Sequence, residues 1–225
     1  MMRFAAVVLA FLAFGLQPAA AGWLLNSYRF GTAAPARSYV FNGSSNFGSS
    51  GSSFTYTAAP LGTADATRVI VVTVAVRDGG TTTFSGVTIG GNAATQAVET
   101  SSTNDEAAIY YLAVAAGTSA DVVASFSSSQ SNAFIAVYSV YNLDASTPNA
   151  TGSGTAGTAT VSASTDDIVI ATATKRATGA SSWTGVTEDA SYNPGSFFSA
   201  ASLKRGSGIS SVTSGLDQTA ASVWR

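Results

Sequence analysis

The sequence predicts an all-β fold, a two-sheet antiparallel β-sandwich of jelly-roll or immunoglobulin type behind an extended N-terminal arm. Three observations carry this. Short apolar or alternating runs recur at close intervals, each bounded by Gly, Ser, Asn or Asp. After the first 21 residues no window has a helical hydrophobic period. Regularly spaced short strands with turn chemistry between them are the signature of a sandwich or barrel.

The elements follow in order. Residues 1–21 differ from the rest. Met1, Met2 and Arg3 make a short basic start, Phe4 to Leu16 is apolar, and Pro18 leads into Ala19, Ala20 and Ala21. This is the pattern of a secretory leader, and its apolar stretch is shorter than the roughly 20 residues a spanning helix needs. A retained anchor, or a start codon placed upstream of a protein beginning near Gly22, are the other readings. Residues 22–66 form an arm followed by a Ser/Gly-rich region, with a strand or two flanking a loop over Asn42 to Ser53. Residues 67–225 form the sandwich.

Arg68 to Arg77 (RVIVVTVAVR) is apolar on both faces, as in a central, covered strand. Further strands are expected at Ser85–Ile89, Thr95–Thr100, Ala107–Ala115, Asp121–Phe126, Ala133–Asn142, Thr158–Ser164, Ile168–Lys175, Ser181–Thr187, Phe197–Leu203, Ile209–Thr213 and Ala220–Trp224. Arg77 to Thr88 (RDGGTTTFSGVT) aligns with Arg176 to Thr187 (RATGASSWTGVT), placing Phe84 over Trp183 and Gly86 over Gly185. Two similar halves, each supplying strands to the sandwich, explain the match. Chance similarity between Ser-, Thr- and Gly-rich segments explains it equally well.

Composition narrows the chemistry. The chain has 225 residues, a length that one sandwich accommodates. Charged residues are 10% and AVILMFWYC residues 46%, enough apolar material for a buried core. Net charge is -2, so there is no basic field for phosphates and no nucleic-acid partner is expected. Histidine and cysteine are both absent, which removes the usual neutral-pH base, the thiolate nucleophile and zinc-thiolate sites. No cofactor, metal site or catalytic residue is expected, and no stable membrane span.

The acidic pairs Asp105 with Glu106, Asp166 with Asp167 and Glu188 with Asp189 fall at strand ends or turns, where solvated carboxylates are ordinary. Neighbours on a strand also point to opposite faces. No loop alternates Asp and Asn ahead of a Glu as a calcium loop does. The aromatic residues Trp183, Tyr192, Phe197 and Phe198 cluster in sequence, and stacking against a sugar face is the ligand role open to them. Trp183 and Tyr192 are the candidate glycan contacts; core placement is the other reading for Trp183 and Phe197, whereas Tyr192 is placed in a loop from Asp189 to Gly195 and is the better candidate for exposure.

Two stretches resemble a known group. Leu24 to Gly31 (LLNSYRFG) resembles the opening segment of bacteriophage and prophage structural proteins. Arg68 through Asn142, with the hairpin SGVTIGGNAAT and the strands AIYYLAVAAGT and AFIAVYSVYNL, is similar to uncharacterised all-β proteins of phage tails and virion surfaces. The resemblance implies a non-enzymatic virion component, a tail, fibre, spike or head-decoration protein present in several copies and contacting other virion proteins or surface glycans. On this reading Trp23, Leu24, Leu25, Tyr28, Arg29 and Phe30 dock the arm on a partner subunit. The leader departs from that pattern, because virion proteins assemble in the cytoplasm. A secreted adhesin or carbohydrate-binding module is the alternative.

Overall fold

A computed structural model of the chain describes residues 35–78 and 83–225. The leader and the docking residues Trp23, Leu24, Leu25, Tyr28, Arg29 and Phe30 lie outside the described residues. Every regular element described is a β-strand. In chain order they are β1 (Ser38–Phe47), β2 (Gly51–Pro60), β3 (Val69–Asp78), β4 (Phe84–Ile89), β5 (Asn92–Ala93), β6 (Thr95–Ser101), β7 (Asp105–Ala113) and β8 (Ser119–Tyr141), then β9 (Ala150–Gly154), β10 (Thr158–Ala163), β11 (Ile168–Lys175), β12 (Thr187–Tyr192), β13 (Phe197–Lys204), β14 (Ile209–Thr213) and β15 (Gln218–Trp224). The sandwich architecture is present, and all strand pairs are antiparallel.

The organising strand is β8. Its second half pairs with β1 and β3, and its first half with β2 and β4. One long strand therefore crosses from one layer to another. Because β1 and β2 both run antiparallel to it end to end, they form a second bent strand alongside. The side-chain period of two then decides which face each residue serves. Ile70, Val72, Val74 and Val76 of β3 enter a core with Phe54, Val87, Val122 and Phe126. Val69, Val71 and Ala75 face the other way, into a core shared with Ile168, Ile170, Phe198, Ala220 and Trp224. A third core joins Val169, Ala171, Ala201 and Val223 to Ala159, Val161 and Val212.

The result is four layers around three cores. They are β2 with β4, β5 and the start of β8; then β1, the end of β8, β3, β7 and β6; then β9, β15, β11, β13 and β12; then β10 with β14. Strand β3 is covered on both faces, which is why its sequence is apolar almost throughout.

The two halves repeat one topology. Strand β3 pairs with β7 and the end of β8 as β11 pairs with β13 and β15. Strands β1 and β2 correspond to β9 and β10, and the long β8 to the separate β14 and β15. The register agrees in detail. A bulge falls between Gln96 and Val98 where β6 meets β7, and between Glu188 and Ala190 where β12 meets β13. The turn ahead of β3, with Arg68 N–H donating to Asp65 C=O and Val114 N–H to Arg68 C=O, is matched by Asp167 to Ser164 and Arg205 to Asp167. Gly86 and Gly185 both have positive φ, 142° and 91°, a conformation that suits glycine. The halves do not, however, share one pair of sheets. Each folds as a sandwich of its own, and the two stack through the central core.

Several expected boundaries shift. The loop expected over Asn42 to Ser53 shrinks to residues 48–50, and the strands on either side of it, β1 and β2, pair with β8 of the sandwich. The strands expected at Asp121–Phe126 and Ala133–Asn142 are one strand, β8. The strand expected at Ser181–Thr187 is reduced to a single bridge from Thr184 to Thr213, and β12 begins at Thr187. Among the described residues no helix is long and apolar enough to cross a membrane.

Candidate functional site

The sequence directs attention to the region around β12, where Trp183, Glu188, Asp189 and Tyr192 lie close in the chain. The bulge at Glu188–Ala190 distributes them over two faces of one sheet. On the outer face the half-buried Trp183 donates its indole N–H to Ser199 Oγ at 2.9 Å. Ser199 donates in turn to Glu188 Oε2 at 2.8 Å, and the Ser181 hydroxyl bonds the same carboxylate oxygen. The rest of the Trp183 ring packs against the outer core.

On the inner face Asp189 accepts hydrogen bonds from Tyr138 Oη at 3.0 Å and Ser202 Oγ at 2.6 Å. Burial raises the Asp189 pKa and the Glu188 charge adds to that, against the opposing pull of the two hydroxyls. Burial, followed by the Asp189 charge, drives the Tyr138 phenol well above its ordinary value. Tyr138 belongs to β8 and Asp189 to β12, so this bond ties one half of the molecule to the other. Tyr192 is also on the inner face, half-buried and stacked on Phe198 with ring centroids 6.1 Å apart. Trp183 and Tyr192 therefore do not form a shared platform. Tyr192 ends a strand rather than occupying a loop.

The other acidic pairs are not uniformly solvated either. Asp105 and Glu106 are buried at the start of β7. Asp166 is exposed, but Asp167 is 1% exposed and gathers Arg225 at 3.0 Å and Arg37 at 3.5 Å, with Ser164 N–H donating at 2.8 Å. Burial works to raise its pKa. The Arg225 and Ser164 hydrogen bonds and the two guanidinium charges outweigh that and hold it below the usual carboxylate value.

Sequence reasoning treats Arg68 merely as the edge of a strand. In the structure it is 1% exposed, and its guanidinium donates to five backbone carbonyls, those of Leu61, Gly62, Val114, Ala116 and Gly117, at 2.7 to 3.1 Å. Five acceptors match the five N–H groups of the side chain. Two loops on different sides of β3 are thereby fixed to one point. A second unforeseen link is buried in the central core, where Thr100 Oγ1 donates to Gln218 Oε1 at 2.8 Å, from β6 to β15.

Beside the Arg68 loops a cleft of about 500 Å³ opens at the end of the first sandwich. Leu61, Ile89, Leu112 and Val114 line it, with Asn92 and Ser119 as polar members. Among the described residues no group of three or more acidic side chains is placed to hold a metal ion.

The described geometry is thus one of polar struts. Charged and hydroxyl side chains bind loops to strands and one half to the other. Compared with known proteins, the chain matches no family model, no curated protein and no solved structure.

Proposed function

We propose that this protein is a non-enzymatic structural component of a phage or phage-like particle, displayed on the surface as part of a tail, fibre, spike or head decoration. One observation supports the reading above others. The interior charged groups serve as cross-braces: Arg68 on five carbonyls, Asp167 between two arginines, and Asp189 on Tyr138. Bracing of this kind stiffens a stacked β block, as a part that presents loops at a particle surface requires. In this reading residues 22–30 dock on a partner subunit through Trp23, Leu24, Leu25, Tyr28 and Phe30, with Arg29 supplying a charge-assisted bond.

Imaging of purified particles tests the proposal. Density that fits the four-layer block at a repeating surface position supports it, and particles of full composition that lack the chain overturn it. A second reading, a secreted adhesin or carbohydrate-binding module, rests on the leader-like residues 1–21. N-terminal sequencing of exported protein beginning at Gly22 favours that reading, as does glycan retention lost on Trp183→Ala or Tyr192→Ala.

A further inference from the structure

Among the described residues, the outer side of β1 and β2 is an unpaired sheet edge. Both strands pair with β8 on one side, and no described strand lies on the other. Such an edge presents a row of backbone donors and acceptors, which proteins ordinarily guard with charged side chains, prolines or bulges. From Ser38 to Ala64 there is no Asp, Glu, Lys or Arg, although the chain holds 10 basic and 12 acidic residues elsewhere. The one proline, Pro60, stands at the end of β2. Bulges interrupt β2 between Gly51 and Ser53 and between Tyr56 and Ala59, whereas in β1 the bulge between Phe41 and Gly43 leaves a regular run from Gly43 to Phe47. Val40, 47% exposed, is the exposed large hydrophobic residue among those described, and it lies on this strand.

We propose that this edge joins two copies of the chain, by antiparallel pairing of β1 with its two-fold mate. The charge pattern selects the occupant. When an edge pairs with itself across a two-fold axis, each residue near the axis meets its own kind, so any charge there is set against an identical one. An edge of Ser, Asn, Gly and Val is free of that repulsion. It also lacks the charges by which an acidic or basic partner would be chosen. The equivalent edge of the second half, β9 and β10, is uncharged as well, but its strands have 5 and 6 residues against 10 and 10. The longer edge offers more backbone pairs. The pairing does not depend on the particle reading, since a secreted protein carries the same edge.

Light scattering after size exclusion, on the full chain up to about 100 µM, gives the test, because self-association follows mass action. Twice the chain mass is expected, together with slow, concentration-dependent hydrogen exchange at β1 amides. Val40 and Asn46 are both exposed, so Val40→Lys with Asn46→Lys reduces the mass to one chain while the β circular-dichroism signal persists. Ser162→Lys, on the β10 edge, leaves the doubled mass in place. The proposal is overturned by a wild-type chain that stays single at all concentrations, including one whose β1 amides are protected by its own N-terminal residues. It is equally overturned if the β1 double variant remains paired, if Ser162→Lys alone separates the copies, or if an open filament forms in place of a closed pair.

Discussion

At the scale of single residues, the molecule depends on charges placed where charge is expensive. Arg68 is accommodated because five neutral carbonyls surround it; Leu61 C=O also accepts from Ser139 Oγ, while Gly62, Val114, Ala116 and Gly117 depend on Arg68. Removing the guanidinium leaves them short of donors. Arg68→Ala should therefore cost about 3 kcal/mol in urea unfolding, and Arg68→Lys roughly half as much, because an ammonium brings three donors rather than a five-donor fork. Asp167 gives a pH-dependent counterpart. Its folded pKa is lowered, so its contribution is complete above the unfolded carboxylate value and disappears as pH falls through the folded one. Asp167→Asn should cost about 2 kcal/mol at pH 7 by removing the buried carboxylate from two partly exposed guanidiniums. In denaturation curves taken at successive pH values, the gap from wild type should begin to close near pH 4 and vanish in stronger acid.

At the scale of elements, glycines decide where strands may approach one another. A Cβ on Gly152 or Gly154 of β9 would collide with the Thr160 and Thr158 carbonyls of β10, which are backbone and unable to swing aside. A Cβ on Gly86 meets open space, so only its φ of 142° opposes substitution. Gly152→Ala should lower stability by about 3 kcal/mol or prevent folding, and Gly86→Ala by about 1 kcal/mol, as read from thermal melts.

The same elements show what a sequence reveals. Strand β3 is legible because two buried faces demand an unbroken apolar run, and β14 coincides with the expected Ile209–Thr213 because its flanks carry turn residues. Strand β9, ATGSG, is illegible, since close backbone approach favours glycine and erases the hydrophobic signal. Ser127 to Ser131 resembles a loop, yet it continues β8 between two paired segments. At the candidate site, Trp183 and Tyr192 are near in sequence but on opposite faces, a separation set by the bulged strand. The importance of Arg68 and Asp167 is hidden because their partners come from distant loops.

At the scale of the whole molecule, the central core belongs to both halves. Trp224 of the last strand packs edge-on to Tyr111 of β7, with centroids 5.4 Å apart, and Thr100 is bonded to Gln218 across the same layer boundary. Neither half can open alone without exposing that face. Calorimetry should show one transition with matching calorimetric and van't Hoff enthalpies. Trp224→Ala should destabilise the protein by about 3 to 5 kcal/mol and speed hydrogen exchange in β3 and β7 as well as in β11.

The repeated halves meet through like faces, in the manner of two separate subunits, but on one continuous polypeptide. In a symmetric assembly of identical subunits every change of residue is made twice. Here corresponding positions are free to differ, and those just ahead of β3 and β11 do, with a buried cation at Arg68 and a buried anion at Asp167. Covalent linkage thus lets one architecture carry two opposite electrostatic solutions, each suited to its own end of the stack.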